Sequence, residues 1–321
     1  MAPDSLASHH RIVIKAMVEG RVVPLLGAGI NLCGRPDDEA WQRSDPRFLP
    51  SGSELAGFLA EYFEYPPDDV RDLVRVSQYA AVMQGLGPLY DELHEIFDAD
   101  YEPGALHGFL AGLPEVLRGK GYKPRYQLIV TTNYDDALER AFRAAKEEFD
   151  LVTYIADGEH RGKFLHWPPT GSPQLIERPN EYGELSLDQR TVILKIHGAV
   201  DRLNSEWGDS YVITEDHYID YLTRTDISGL LPVTLSAKLR RSHFLFLGYS
   251  MRDWNLRVIL HRIWGQQKLN YKSWAIQVEP EPIEREFWQK RGVDILDVSL
   301  ERYVEGLEAG LVQPLGAGIG R

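Results

Sequence analysis

The feature that most constrains the fold of this chain is a series of short apolar runs, each leading into glycine or polar residues. Seven runs have the length and composition of buried strands, namely residues 21–26, 126–130, 151–155, 192–196, 243–247, 274–278 and 293–296. Helical patterns separate several of them. This alternation predicts an α/β fold, with a Rossmann-like, mostly parallel sheet and helices on both faces. In such a sheet the ligand lies beyond the carboxyl ends of the strands.

Between the first two strands the apolar spacing is helical. The stripes consist of Leu55, Phe58, Leu59, Tyr62 and Phe63, and of Leu89, Leu93, Ile96 and Phe97. This spacing predicts a helical insertion at residues 53–120, inside a single domain that spans residues 1–321. The polar, Pro-rich stretch 34–52 predicts a long loop over the site, and residues 310–321 predict a mobile tail. For the turn-rich segment 168–189 no fold is predicted.

Composition and charge exclude several classes of function. The net charge of −13 argues against nucleic acid or an anionic membrane as the main partner, because such binding uses Lys and Arg to neutralise phosphates. No apolar run has the length of a signal peptide or of a membrane span, so we expect a cytosolic protein. Cys33 is the single cysteine, which excludes an internal disulfide and a cysteine-based zinc site.

The first motif, Gly27-Ala28-Gly29, follows the first apolar run and precedes Asn31. Glycines let the backbone turn tightly and approach a pyrophosphate, and a following helix offers free N–H groups. Asn31 is predicted to cap that helix. The alternative is a plain strand-to-helix turn, because Leu32 occupies the place of the third glycine in a dinucleotide-binding fingerprint.

The second motif, Thr131-Thr-Asn-Tyr-Asp135, stands at the end of the next strand. The amide of Asn133 is suited to orient a water or a ribose hydroxyl without bringing charge to an oxocarbenium-like centre. Helix capping is the commoner use of Asn and Asp, so either Asn133 or Asp135 alternatively serves the following helix.

Two further strand ends carry polar groups. Lys195-Ile-His197-Gly198 supplies a histidine, whose near-neutral pKa suits acid–base work, although many histidines are only solvated or buried groups. Gly248-Tyr-Ser250-Met-Arg-Asp253 fits a capping box, in which Asp253 would bond back to the Ser250 backbone. The same turn can also present N–H groups and a hydroxyl to a phosphate or ribose.

Taken in this order, with Leu49–Leu55 after the first turn, the four motifs resemble the sirtuin-like family. They are most similar to its bacterial branch of NAD-depleting enzymes that defend against phage, over roughly residues 21–307. The resemblance implies catalytic roles for Asn133, His197 and Asp135, with Asn133 ordering the attacking water and His197 as the base. It implies NAD binding by Gly27, Ala28, Gly29, Asn31, Thr132, Gly248 and Ser250, and on the adenosine side by Glu279 and Asp297.

Two departures from the family bear on the reaction. Sirtuin deacylases usually carry a four-cysteine zinc ribbon after the catalytic histidine, and this sequence has no cysteine there. The missing ribbon disfavours deacylation, and no metal is expected. Position 31, usually serine, is asparagine.

The resemblance therefore implies an NAD⁺ glycohydrolase that depletes NAD in anti-phage defence by abortive infection. Hydrolysis and cyclisation to cyclic ADP-ribose remain open. The alternatives are a protein deacylase or ADP-ribosyltransferase, and a non-catalytic NAD or ADP-ribose sensor. Because unregulated NAD cleavage would harm the cell, we expect control by homo-oligomerisation or by a partner chain. In this family such a partner is a HerA-type ATPase or a short Argonaute.

Overall fold

The computed structural model describes residues 3–36, 38–45, 47–123, 125–203, 205–223, 227–252, 254–264 and 271–312. Its strands are β1 (Val22–Leu26), β2 (Leu128–Thr131), β3 (Phe149–Tyr154), β4 (Phe164–Trp167), β5 (Gln174–Ile176), β6 (Thr191–Lys195), β7 (Gly198–Ala199), β8 (Ser210–Tyr211), β9 (His243–Leu247), β10 (Ser273–Ile276) and β11 (Val293–Leu296). Its α-helices are α1 (Pro3–Val18), α2 (Gly52–Tyr62), α3 (Leu73–Gln84), α4 (Leu86–Phe97), α5 (Ala105–Gly119), α6 (Ala137–Ala144), α7 (Glu215–Thr223), α8 (Ile227–Leu230), α9 (Val233–Arg240), α10 (Trp254–Trp264), α11 (Pro282–Gln289) and α12 (Leu300–Val312).

Nine of these strands form one sheet, in the order β11-β10-β9-β1-β2-β6-β3-β4-β5. Every neighbouring pair from β11 to β3 is parallel, whereas β4 and β5 extend one edge as antiparallel strands. The mostly parallel sheet predicted from the sequence is therefore confirmed. The sequence did not predict β4 or β5, and β5 lies in the turn-rich segment 168–189.

Strand β1 explains why both faces of the sheet must be covered. Val23 and Leu25 enter the hydrophobic core on one face, and Val22 and Leu26 enter the core on the other. Side chains alternate along a strand, so a fully buried strand needs apolar partners on both sides. Residues of α7, α9, α10 and α11 fill the first core, and residues of α1, α5, α6 and α12 fill the second. The predicted helices on both faces are confirmed.

The segment between β1 and β2 contributes to two different layers. Helices α2, α3 and α4 share a third hydrophobic core with Tyr134, which lies in the loop after β2, and with Tyr211 of β8. Helix α5 instead packs with α6 and α12 in the core of the sheet. The helical layer that stands over the strand ends thus consists of α2–α4.

The loops that carry the polar motifs meet at one edge of the sheet. Strand β1 lies between β9 and β2, so the chain leaves β1 toward one side and returns later on the other side. Such a reversal opens a crevice at the carboxyl ends of the strands. At the far end of the chain, residues 310–312 are the last of α12 rather than a loose tail, and residues 313–321 lie outside the described part.

Candidate active site

A cavity of about 630 Å³ lies beyond the carboxyl ends of four adjacent strands, β9, β1, β2 and β6. Its size is that of ordinary small-molecule sites. The lining from these strand ends consists of Ala28, Gly29, Asn31, Thr132, Asn133, Tyr134, Asp135, His197, Gly248, Tyr249, Ser250 and Arg252. The rest of the lining comes from helices and from the residues just before them, namely Pro50, Ser51, Gly52, Ser53, Leu55, Ala56, Arg71, Asp72, Leu73, Val74, Phe97, Tyr218 and Ile259. Residues from all four sequence motifs therefore share one cavity.

The glycine turn after β1 interlocks with the turn after β9. The amide of Gly29 donates to the carbonyl of Gly248 over 2.9 Å. A Cβ at Gly29 would lie 2.7 Å from that carbonyl oxygen, and a Cβ at Gly248 would lie 2.3 Å from the Ile30 nitrogen. Gly248 also has a φ of +74°, which favours glycine. A Cβ at Gly27 would likewise lie 2.8 Å from the Gly248 carbonyl oxygen. These glycines are therefore required by the packing of two turns, whatever else they bind.

The helix after the glycine turn is a single 3₁₀ helix, Ala28–Leu32, and Asn31 lies inside it. Its N-cap is Gly27, so the predicted capping by Asn31 is wrong. The Asn31 side chain instead donates to the carbonyl of Pro50 over 2.9 Å, and its oxygen is buried without a partner. Asn31 thus joins the β1 turn to the residues that begin α2.

The loop after β2 is held by its two threonines. Thr131 Oγ1 donates to the Leu26 carbonyl over 3.1 Å and accepts the Asn133 amide over 3.0 Å. The Thr132 hydroxyl lies 2.8 Å from the Tyr249 hydroxyl, which donates to the same carbonyl. Asn133 is only 8% exposed, and its side-chain oxygen has no partner. A buried amide oxygen without a partner is costly, so this atom is suited to accept from a ligand or water.

The N-cap of α6 is Asp136, whose side chain makes no capping bond, so neither Asn133 nor Asp135 caps this helix. Asp135 Oδ1 instead accepts the amide of Ala137, the first residue of α6, over 3.0 Å. Burial raises the pKa of the Asp135 carboxyl, and the nearby Lys195 ammonium opposes that rise. Asp135 also lines the cavity, so its contact with the start of α6 and a place at the site occur together.

Lys195 supports this loop from below. Its ammonium is buried, pairs with Glu139 over 2.7 Å, and donates to the backbone carbonyls of Tyr134 and Asp135. The lysine therefore fixes the backbone on which Asn133 and Asp135 stand. In the sequence motif this lysine is a neighbour of His197, yet its role is structural.

His197 lies at the end of β6 and is 3% exposed. The rings of Tyr218 and Tyr221 meet it edge to face, with centroids 5.5 Å and 5.6 Å away. Burial lowers the pKa of His197 from 6.5 to about 3, so the imidazole is neutral at neutral pH. Its Nε2 is buried without a partner. A neutral ring with a free nitrogen, in the wall of a cavity, can accept a hydrogen bond from a bound hydroxyl.

The turn after β9 places Ser250 and Arg252 in the cavity wall. Asp253, the second member of the predicted capping box, lies outside the described residues. The guanidinium of Arg252 pairs with Glu284 over 2.6 Å and with Glu281 over 3.0 Å. The sequence reasoning did not select Arg252.

Glu279 and Asp297, predicted on the adenosine side, do not line this cavity. They lie together, because the Glu279 amide donates to Asp297 Oδ1 over 2.9 Å. The other Asp297 oxygen accepts from Arg285 over 2.9 Å. Glu279 follows β10, which is next to β9, and Asp297 follows β11, which is one strand further from the cavity.

The helical layer supplies wall residues that were not assigned individually from the sequence, although the stretch 34–52 was predicted to lie over the site. Ser51, Gly52 and Ser53 begin α2, and Arg71 stands just before α3. Nothing in the spacing of these residues distinguishes them from other helix starts. Only the packing of α2–α4 over the strand ends brings them to the site.

The described residues contain no group of three or more His, Cys, Asp or Glu side chains arranged to hold a metal ion. Within the same residues, the helices are all too short or too polar to cross a membrane.

Comparison with known proteins places this site in a family. The model of the SIR2-like domain matches residues 127–296, from the strand before Asn133 to the end of β11. The NAD(+) hydrolase ThsA of Enterococcus faecium is 28% identical over 194 residues, which cover 60% of this chain and 32% of the relative. Defense-associated sirtuin 2 of Bacillus subtilis is 30% identical over 285 residues, covering 87% of this chain and 23% of the relative.

A second NAD(+) hydrolase ThsA, from Acinetobacter baumannii (strain 532279), is 27% identical over 252 residues, covering 78% of this chain and 41% of the relative. The chain thus spans less than half the length of each of these relatives. The family match covers more than half of the chain, and it includes Asn133 and His197. This protein belongs to the SIR2-like family.

Proposed function

We propose that this chain is an NAD⁺ hydrolase that cleaves the bond between nicotinamide and ribose. The observation that carries the proposal is the pair of buried, unpartnered atoms Asn133 Oδ1 and His197 Nε2 in the wall of one cavity. In a folded protein such atoms normally have partners, so their presence in the wall of one cavity, together with the free oxygen of Asn31, indicates a ligand with hydroxyl or water donors. The names of two relatives, NAD(+) hydrolases, support NAD as that ligand.

In the proposed reaction, the C–N bond to nicotinamide breaks and leaves an oxocarbenium-like ribose. A water adds to the anomeric carbon, and the products are nicotinamide, ADP-ribose and a proton. Asn133 would orient the water through its free oxygen, and it adds no charge beside the cationic ribose. His197, neutral because it is buried, would contact the ribose hydroxyls, and it would act as the base once the bound substrate raises its pKa toward neutrality. Asp135 would hold the loop at the ribose.

The other predicted residues would serve binding. Ala28 and Gly29 would contact the pyrophosphate, and Gly27, which does not line the cavity, would support their turn. Gly248 and Ser250 would contact the phosphates or the adenosine ribose. Thr132 and Asn31 would complete the wall. Glu279 and Asp297 are not among the lining residues of this cavity, so we assign them no contact with the substrate.

The proposed biological role is NAD depletion in defence against phage. The support is the name of a relative that aligns with 87% of this chain, Defense-associated sirtuin 2. Because an unregulated NAD hydrolase would harm its own cell, we propose that a homo-oligomer or a partner chain controls it. A HerA-type ATPase or a short Argonaute is the kind of partner that the family resemblance suggests.

The experiment is incubation of the purified protein with NAD, with and without the products of neighbouring genes, followed by chromatography of the products. Nicotinamide and ADP-ribose in equal amounts support hydrolysis, and cyclic ADP-ribose would indicate cyclisation instead. Release of nicotinamide that requires an acylated peptide would indicate deacylation. Binding of NAD without any release, under every condition, would reduce the protein to a sensor.

Two variants test the roles of the side chains. His197→Ala should lower the rate of nicotinamide release by about 10²- to 10⁴-fold, the usual cost of a lost general base. Asn133→Ala should lower turnover while the melting temperature stays close to that of the wild type. His261→Ala and Asn180→Ala are matched controls, because both side chains are exposed and neither lines the cavity. Full activity of a folded His197→Ala or Asn133→Ala protein would contradict the assignment.

A further inference from the structure

The substrate of the proposed function carries a diphosphate, and the cavity wall offers few cations to meet it. Among the described lining residues, Arg71 and Arg252 are the only Lys or Arg side chains. Anionic phosphates bind where guanidinium groups and free backbone amides converge. Whether each of these two arginines is already paired with a carboxylate therefore decides whether it can bind a diphosphate.

Arg252 is already neutralised by the protein. Glu284 and Glu281 lie 2.6 Å and 3.0 Å from its guanidinium nitrogens, so two carboxylates face one cation. Gln277 also donates to Glu284 over 3.2 Å and helps to hold that carboxylate in place. A phosphate approaching Arg252 would meet a cluster with an excess of negative charge.

Arg71 stands in a different environment. Its side chain is 44% exposed, and its ion pair with Glu61 is long, 3.8 Å, to a side chain that is itself 77% exposed. The neighbouring Asp72 turns its carboxylate to the amides of Val74 and Arg75, where it caps α3. An exposed pair of this length contributes little, so the guanidinium can exchange Glu61 for a stronger anion.

The start of α2 lies in the same wall. Ser51 and Glu54 form a capping box that uses their own two amides. The amides of Gly52 and Ser53, in the first turn of this 11-residue helix, have no acceptor within the helix. The positive end of the helix dipole adds to their attraction for an anion.

We propose that Arg71, assisted by the first turn of α2, is the positioning residue that binds the diphosphate of NAD. The inference rests on the proposed function, and it assigns to the helical layer a direct part in substrate binding. Asn133 and His197 act on the nicotinamide ribose at one side of the cavity, and Arg71 holds the charged centre of the same molecule. A contact made equally to substrate and transition state changes KM and leaves kcat nearly constant.

The test compares Arg71→Ala, Arg71→Lys and the control Arg75→Ala. Arg75 is a good control because it lies one helical turn away, is 52% exposed, pairs with Asp69 over 3.4 Å, and does not line the cavity. Arg71→Ala should raise KM for NAD by about 10- to 100-fold, as expected when a charge-assisted hydrogen bond is lost, with kcat within about twofold. Arg71→Lys should recover part of the loss, and Arg75→Ala should change neither constant. Unchanged KM in a folded Arg71→Ala protein would overturn the inference.

Calorimetric binding of ADP-ribose separates this inference from the proposed function, because ADP-ribose keeps the diphosphate and needs no cleavage. If the wild type binds ADP-ribose and Arg71→Ala binds it at least about 10-fold more weakly, the diphosphate site stands even if no NAD is cleaved. If NAD is cleaved but ADP-ribose binds equally well to both proteins, Arg71 does not bind the diphosphate, while the proposed hydrolase function still stands. Failure of the wild type to bind ADP-ribose would also overturn the inference.

Discussion

Replacement of His197 by glutamine is expected to make the fold less sensitive to acid. Burial lowers the pKa of His197 from 6.5 to about 3 in the folded protein. Between these two values the unfolded chain binds a proton at this ring and the folded chain does not. The folded state therefore loses stability as the pH falls below 6.5, and this loss disappears when the ring is removed.

The two pKa values set the magnitude of the effect. One pKa unit corresponds to about 1.4 kcal/mol. At about pH 5 the solution lies roughly 1.5 units below the unfolded pKa and still well above the folded one, so the penalty is about 2 kcal/mol. Near pH 7.5 the ring is neutral in both states, and the penalty is close to zero.

The assay is urea unfolding of the wild type and of His197→Gln at both pH values. His9 and His107 also have pKa values lowered to about 4 by burial, but both proteins contain them, and their effects cancel in the comparison. The wild type should lose about 2 kcal/mol more than the variant between about pH 7.5 and pH 5. Equal losses would refute the lowered pKa of the buried imidazole.

Three further predictions concern the scaffold of the site, and each is measured by urea unfolding. Gly248→Ala should lower the free energy of unfolding by at least about 2 kcal/mol, and clearly more than the control Gly208→Ala. Both glycines have a positive φ, but only at Gly248 would the added Cβ meet backbone atoms. Equal losses in the two variants would contradict the interlocked turns. Lys195→Met should lower the free energy of unfolding by about 3–5 kcal/mol, because it leaves the Glu139 carboxylate buried and unpaired. The double variant with Glu139→Gln should recover part of this loss. If it recovers none, the ion pair is not the cause of the loss. Asp72→Ala should cost about 1 kcal/mol as the lost N-cap of α3, and an unchanged midpoint would show that the cap is dispensable.

The sequence predicted the central strands well because they are buried on both faces. Runs such as residues 244–247 are apolar without interruption, and only a strand between two layers of helices buries every residue of such a run. The antiparallel edge strands β4 and β5 lack that pattern, because β4 contains His166 and β5 is short and partly exposed. Strand β4 pairs with β3, and β5 pairs with β4, and local sequence does not reveal this pairing.

For the candidate site, the sequence by itself determined which chemistry stands at the strand ends. Asn133 and His197 each follow an apolar run, and parallel strands bring such positions to one edge, so their meeting in one cavity was predictable. The sequence did not determine that Asp136, rather than Asn133 or Asp135, is the N-cap of α6, since capping and ligand contact use the same side-chain types.

Only the tertiary structure decided the other half of the site. The approach of α2 and α3 to the strand ends, which brings Ser51 and Arg71 into the wall, depends on the packing of a third hydrophobic core. The neutral state of His197 depends on its burial between Tyr218 and Tyr221, which lie on a distant helix. Strand-end positions follow from local pattern and the regularity of a parallel sheet, whereas burial and cross-layer contacts arise only when the layers pack.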